Sequence, residues 1–165
     1  MKIGRIVKHL LTTHGAVKRA FPGHAFRAID EAIKASEATH VGQVRFVVEA
    51  ALDGSSLFKG QSARERAIEV FAQLHVWDTE HNNGLLIYVL LADRAVEIVA
   101  DRGIHAKVGS EEWRAVCDHM ERAFRDSSYE SGVLNGVQEV TRHLVTHFPA
   151  AGSGANELPD KPVVL

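Results

Sequence analysis

Residues 85–91 read Leu-Leu-Ile-Tyr-Val-Leu-Leu, a run that is apolar on both sides of any extended chain. A half-exposed strand alternates apolar and polar residues, so this run fits a strand covered by helices on each face. Asn82-Asn83-Gly84 ahead of it is a turn signal, and Ala92-Asp93-Arg94 turns the chain behind it. The next six residues alternate, with Val96, Ile98 and Ala100 on one side and Ala95, Glu97 and Val99 on the other. So short a turn between two strands predicts an antiparallel hairpin.

The flanking segments supply the layers. Residues 24–38 carry Phe26, Ile29 and Ile33 as a helical stripe, and Gln43-Val44-Arg45-Phe46-Val47-Val48-Glu49 reads as a strand. Asp53-Gly54-Ser55-Ser56 is a turn. Ser62 with Glu65 three residues on is a capping box opening a helix to about Leu74. Ser110-Glu111-Glu112 suits a helix N-terminus, with Trp113, Val116, Cys117, Met120 and Phe124 as its stripe. A last helix spans residues 128–147, and Pro149 ends it. The order α-α-β-α-β-β-α-α predicts an α/β fold, a small mixed sheet with helices on both faces. Its first two strands are parallel and its third is antiparallel to the second.

A chain of 165 residues is one domain by length, and its net charge of −2 gives no sign of nucleic acid. The single cysteine, Cys117, forms no internal disulfide and fits a reducing compartment. The first residues lack the apolar core of a signal peptide, and nothing approaches the ~20 apolar residues of a membrane span. A cytoplasmic protein is expected. Residues 1–20 read as a basic amphipathic helix, with Ile3, Ile6, Val7, Leu10 and Leu11 on one face and Lys2, Arg5, Lys8 and His9 on the other. Such a helix can lie peripherally on an anionic membrane, meet a membrane-protein partner, or simply cap the domain. Residues 21–149 form the α/β domain, and residues 150–165, with their Gly-Ser stretch, read as a flexible tail.

Ala-Asp-Arg occurs twice, placing Asp93 and Asp101 eight residues apart. At ~3.3 Å per residue a strand separates them by roughly 26 Å, so they cannot share an ion whose oxygen ligands lie ~2.4 Å away. They mark two poles of the sheet. Glu49 and Asp53 belong with Asp93; Glu37, Asp78, Glu80 and Asn82 belong with Asp101. Asp78-x-Glu80-x-Asn82-Asn83-Gly84 resembles the first half of a calcium loop, but its twelfth position is Val89, so it is no EF-hand. An ordinary polar turn is the plainer account of it, as a hairpin turn residue is of Asp93. Cys117 has an arginine five positions on, where a cysteine phosphatase needs six, and it lies on an apolar stripe. His143 and His147 share a helix face without a third ligand near in sequence.

Asn83-Gly84, the apolar strand, Asp93-Arg94, a second strand and Asp101-Arg102-Gly103-Ile104 together resemble the TPM domain. Trp113, Phe124, Tyr129, Gly132, Gly136 and Phe148-Pro149 follow in the family's order, and Glu37 with Thr39-x-x-Gly42 precedes it. The resemblance implies a three-layer α/β/α sandwich around about four strands, and binding of a divalent cation, Ca2+ or Mg2+. It also implies an accessory, partner-binding role beside membrane proteins, as for bacterial relatives. Acid phosphatase activity, attributed to a plant chloroplast member, is the alternative, and a metal-free interaction module a second. The expected ligands are Glu37, Asp78, Asn82 and Asp101, with a weaker cation at Asp93. Gln43 departs from the glutamate common in relatives.

Overall fold

The computed structural model describes residues 3–150, 152 and 155–165. The apolar run forms β2 (Gly84–Leu90), buried throughout, beside an equally buried parallel strand, β1 (Gln43–Glu49). Burial of a large apolar side chain contributes about 1.5–3 kcal/mol, and Leu85–Leu90 supply six in succession, which puts this strand inside the sheet. A 3-10 turn at Leu91–Asp93 and a left-handed Arg94 (φ 51°) reverse the chain into β3 (Ala95–Ala100). β3 pairs antiparallel to β2, from Leu90↔Ala95 to Leu85↔Ala100. The hairpin is therefore present, and β3 separates Asp93 from Asp101.

In chain order the helices are α1 (Ile3–Leu11), α2 (His14–Ala20), α3 (Gly23–Glu37), α4 (Gly54–Phe58), α5 (Ala63–Gln73), α6 (Arg102–His105), α7 (Ser110–Arg125) and α8 (Tyr129–His147). α3, α7 and α8 cover one face of the sheet. Their Ile29, Ile33, Met120, Phe124, Val137 and Leu144 share a core with Val44, Phe46, Leu85 and Ile87. Ala67 and Val70 of α5 cover the other face, against Val47, Leu86, Tyr88 and Leu90. The predicted capping box holds: Glu65 N–H reaches Ser62 Oγ at 3.2 Å, and Ser62 N–H reaches Glu65 Oε2 at 2.7 Å. Glycine at 84 is dictated by a close approach, since a Cβ there would lie 1.9 Å from the Val76 carbonyl oxygen.

Four local expectations change. The N-terminal helix is two helices, because Thr13 is extended (φ −106°, ψ 171°) and restarts the chain as the N-cap of α2. Lys2, expected on its polar face, lies outside the described residues. The turn at Asp53 is a five-residue helix whose N-cap Asp53 accepts from Ser56 N–H at 3.0 Å. Gly109, not Ser110, caps α7.

The end of the expected flexible tail joins the sheet: β4 (Val163–Val164) pairs parallel to β1, giving the order β3-β2-β1-β4. Gln43 Oε1 accepts from the N–H groups of Glu157 (2.8 Å) and Leu158 (3.0 Å), and Arg45 donates to the Pro159 carbonyl. These contacts fasten the segment that leads into β4. Residues 151, 153 and 154 of that tail lie outside the described residues.

Candidate functional site

At the Asp101 pole the chain has used its carboxylates locally. Asp101 is 8% exposed and caps α6, with Arg102 N–H 2.7 Å from Oδ1; Oδ2 is buried with no partner. Glu37 accepts the Val44 N–H at 2.6 Å. Burial pushes the Glu37 carboxyl up to about 8, and neighbouring Asp160 adds to this against the opposing Val44 N–H and Arg45. At neutral pH it is largely a protonated acid, which binds a cation poorly. Asp78 and Asn82 are exposed in an ordinary polar turn, with Asn82 left-handed at φ 51° and its carbonyl accepting from Gly103 N–H. A cavity of about 680 Å³ at this end is lined by Glu37, Glu80, Asn83 and Glu157, and not by Asp78, Asn82 or Asp101.

On the wall of this cavity His40, 3% exposed, bonds Ser36 Oγ through Nε2 at 2.8 Å. Ser36 Oγ in turn lies 2.6 Å from Thr141 Oγ1, which donates to the Val137 carbonyl. Each hydroxyl has one proton. Thr141 spends its own on Val137, so Ser36 donates to Thr141 and accepts from His40 Nε2–H. Burial pushes His40 down to about 4, so the ring is neutral. A serine oriented this way is not deprotonated by its histidine.

At the Asp93 pole every carboxylate is engaged. Arg5 grips Asp93 through Nε and Nη2, at 3.0 and 2.8 Å from Oδ2. Leu52 N–H donates to His9 Nδ1 at 3.0 Å, which leaves the proton on Nε2, 3.0 Å from Asp93 Oδ1. Burial pushes Asp93 up, but Arg5 and His9 outweigh it and hold the carboxyl below its usual range. Glu49 takes Arg66 (2.9 and 3.0 Å) and the Tyr88 hydroxyl (2.5 Å), and Asp53 caps α4.

Sequence periodicity found the two faces of α1 but not which one turns inward. The polar pair Arg5 and His9 faces the domain, while Ile3, Val7, Leu10 and Leu11 are 79, 47, 71 and 76% exposed. Only Ile6 of the apolar set packs against the core. Beside α1 lies a groove of about 660 Å³, between α1, α2 and the turns at Arg94 and Ser127.

Residues 21–143 match the TPM domain. The chain belongs to the TPM domain family. Among solved structures it is similar to the BA42 protein from the psychrophilic bacterium Bizionia argentinensis (25% identity, TM-score 0.77), covering 87% of this chain and 94% of that one. It also shares the fold of the N-terminal domain of a P. gingivalis protein (20% identity, TM-score 0.62), covering 79% of this chain and 82% of that one. No curated protein matches its sequence.

For a divalent cation, this TPM domain offers a limited donor set. Among the described residues no three Asp, Glu, His or Cys side chains are grouped so as to hold a metal ion. Among the described residues, two side-chain oxygens at the Asp101 pole are buried without a partner, Asp101 Oδ2 and Asn83 Oδ1. Cys117 is buried in α7, and burial pushes its thiol up to about 12, so it is a core residue rather than a nucleophile. Trp113 is core as well, with His143 edge-on to its ring at 5.3 Å. Among the described residues no helix is long and apolar enough to cross a membrane.

Proposed function

We propose that this TPM domain is an accessory docking module that lies on an anionic membrane surface through α1. The observation that carries this reading is the orientation of α1: its Arg5 and His9 side chains are spent on Asp93, while Ile3, Val7, Leu10 and Leu11 of its apolar row are left in water. A helix that merely capped the domain would bury that row. Charge complements it. The first 29 residues contain six Lys and Arg (2, 5, 8, 18, 19 and 27) and no Asp or Glu, in a chain of net charge −2. Each cation near an anionic leaflet contributes about 1 kcal/mol, while a short apolar row alone holds a membrane only marginally. Docking therefore depends on both.

Flotation with vesicles tests it. The protein rises with vesicles containing one third phosphatidylglycerol and stays down with pure phosphatidylcholine. The double substitution Val7→Asp and Leu11→Asp abolishes flotation with the fold intact by circular dichroism. Absence of flotation on the anionic vesicles overturns the reading. Concentration-dependent dimerisation lost in the same variant would assign the row to a second copy instead.

A second reading, cation binding, is favoured by the buried, unpartnered Oδ2 of Asp101. With one side-chain oxygen and water as ligands, a calcium ion would be held only at about millimolar concentration.

A further inference from the structure

We propose that the groove beside α1 is a headgroup site that takes the phosphodiester of an anionic phospholipid. Its walls carry three cations, Lys8, Arg19 and Arg94, and the hydroxyls of Ser127 and Tyr129; Thr12 also lines it but donates its hydroxyl to the Lys8 carbonyl at 2.8 Å. None of the three cations is in an ion pair among the described residues, although Arg5, Lys34, Arg64 and Arg66 all are. The only acid on the wall is Asp93, and Arg5 and His9 already neutralise and saturate it. The groove is thus a cavity of net positive charge in an acidic protein, with donors of the kind that bind a phosphate group.

Position, size and neighbours narrow the ligand. The groove lies beyond the carboxyl ends of the parallel strands β1 and β2, where α/β sheets hold ligands. Its volume of about 660 Å³ equals about twenty waters at ~30 Å³ each, far more than a bare phosphate fills. The groove has room for a substituent on the phosphate. Leu11, 76% exposed, belongs both to the groove wall and to the apolar row of α1. A phosphate in the groove therefore leaves its acyl chains beside Leu10 and Leu11. Arg94 is left-handed at φ 51°, a backbone that glycine adopts at lower cost.

The lipid as source of this phosphate rests on the docking reading, but the site can be tested without a membrane. Dihexanoyl phosphatidylglycerol, kept below its micelle concentration, is titrated into the full chain and followed by amide NMR. The amides of Arg94, Ser127 and Tyr129 shift; dihexanoyl phosphatidylcholine, whose choline offsets the phosphate, moves them at least tenfold less. The double substitution Arg19→Gln and Arg94→Gln weakens binding tenfold or more, and Arg94→Gly alone weakens it measurably, both with the melting temperature kept. Inorganic phosphate binding as tightly as the lipid overturns the headgroup assignment in favour of a free anion. No shift with the lipid, in a protein that still floats on anionic vesicles, overturns the groove and leaves docking standing. A shift without flotation supports the groove and removes docking.

Discussion

The two ends of the sheet carry the same residue types and treat them oppositely. At the Asp93 end each carboxylate is matched, Asp93 to Arg5 and His9 and Glu49 to Arg66 and Tyr88. At the Asp101 end Glu37 is held largely as a neutral acid and Asp101 keeps one oxygen with no partner. The matched end fastens a helix to the domain across 84 to 88 residues of sequence. The unmatched end tolerates its polar groups within the fold. A buried carboxylate is therefore not in itself a sign of a binding site. What distinguishes the ends is whether the chain supplies its own counter-charge.

The sharpest way to break this contrast is Asp93→Asn. It removes the charge that holds Arg5 and leaves His9, 3% exposed, against an amide. Charge-assisted hydrogen bonds of this kind are worth about 1.5–3 kcal/mol, so unfolding in urea at pH 7 should show a loss of about 2–3 kcal/mol. Asp93 has a lowered folded pKa, so its contribution is complete above the ordinary carboxylate range and disappears as pH falls through the folded value. Wild type and variant should therefore converge once the pH falls below that folded value. Equal stability at pH 7 would mean that α1 is held by Ile6 alone and that the polar anchor is incidental.

Much of this frame was legible in local sequence, and the exceptions share a cause. The apolar run at Leu85–Leu90, the turn at Asp93-Arg94 and the Ser62/Glu65 capping box are each decided within about ten residues, and each appears as read. β4 was not legible, because Val163–Val164 is two residues long and is held through Gln43 and Arg45, more than 100 residues earlier. The facing of α1 was hidden for the same reason. Periodicity gives two stripes, and only the distant Asp93 decides which of them turns inward. The glutamine at position 43, where relatives commonly carry glutamate, has a use that only the distant tail discloses: its oxygen accepts from the backbone of Glu157 and Leu158. The Asp78 to Asn82 spacing implied convergence that a left-handed Asn82 in an exposed turn does not deliver.

A smaller effect of opposite sign is expected from Glu37→Gln. The folded pKa of Glu37 is raised from 4.5 to about 8, so the folded state holds a proton that the unfolded state releases. Its contribution is intact below the unfolded value and is lost as pH rises through about 8. Glutamine keeps an oxygen for the Val44 N–H and never ionises. The variant should be more stable than wild type at pH 9 by roughly 1–2 kcal/mol, discounted because the side chain is only half-buried, and indistinguishable at pH 4. The two substitutions then mark opposite limbs of one stability curve, Asp93→Asn the acid limb and Glu37→Gln the alkaline. A flat difference across pH would show that Glu37 is ionised in the fold, and would restore it as a cation ligand.

The smallest effect is that of calcium. If the orphaned oxygen of Asp101 holds an ion with a dissociation constant of ~1 mM, 10 mM calcium stabilises the fold by about 1.4 kcal/mol. Asp101→Asn should abolish that increment. It also weakens the cap of α6, so the comparison is the calcium-dependent difference within each protein, not the stability of one against the other. Magnesium should do less, since it gives up its water reluctantly and a single carboxylate oxygen offers little in exchange. Because Glu37 is protonated near neutrality, recruitment of its carboxylate would release a proton and strengthen binding from pH 6.5 to 9. Calcium stabilisation independent of pH would confine the ion to Asp101. No stabilisation at any pH would leave the unmatched end with no claim to a cation.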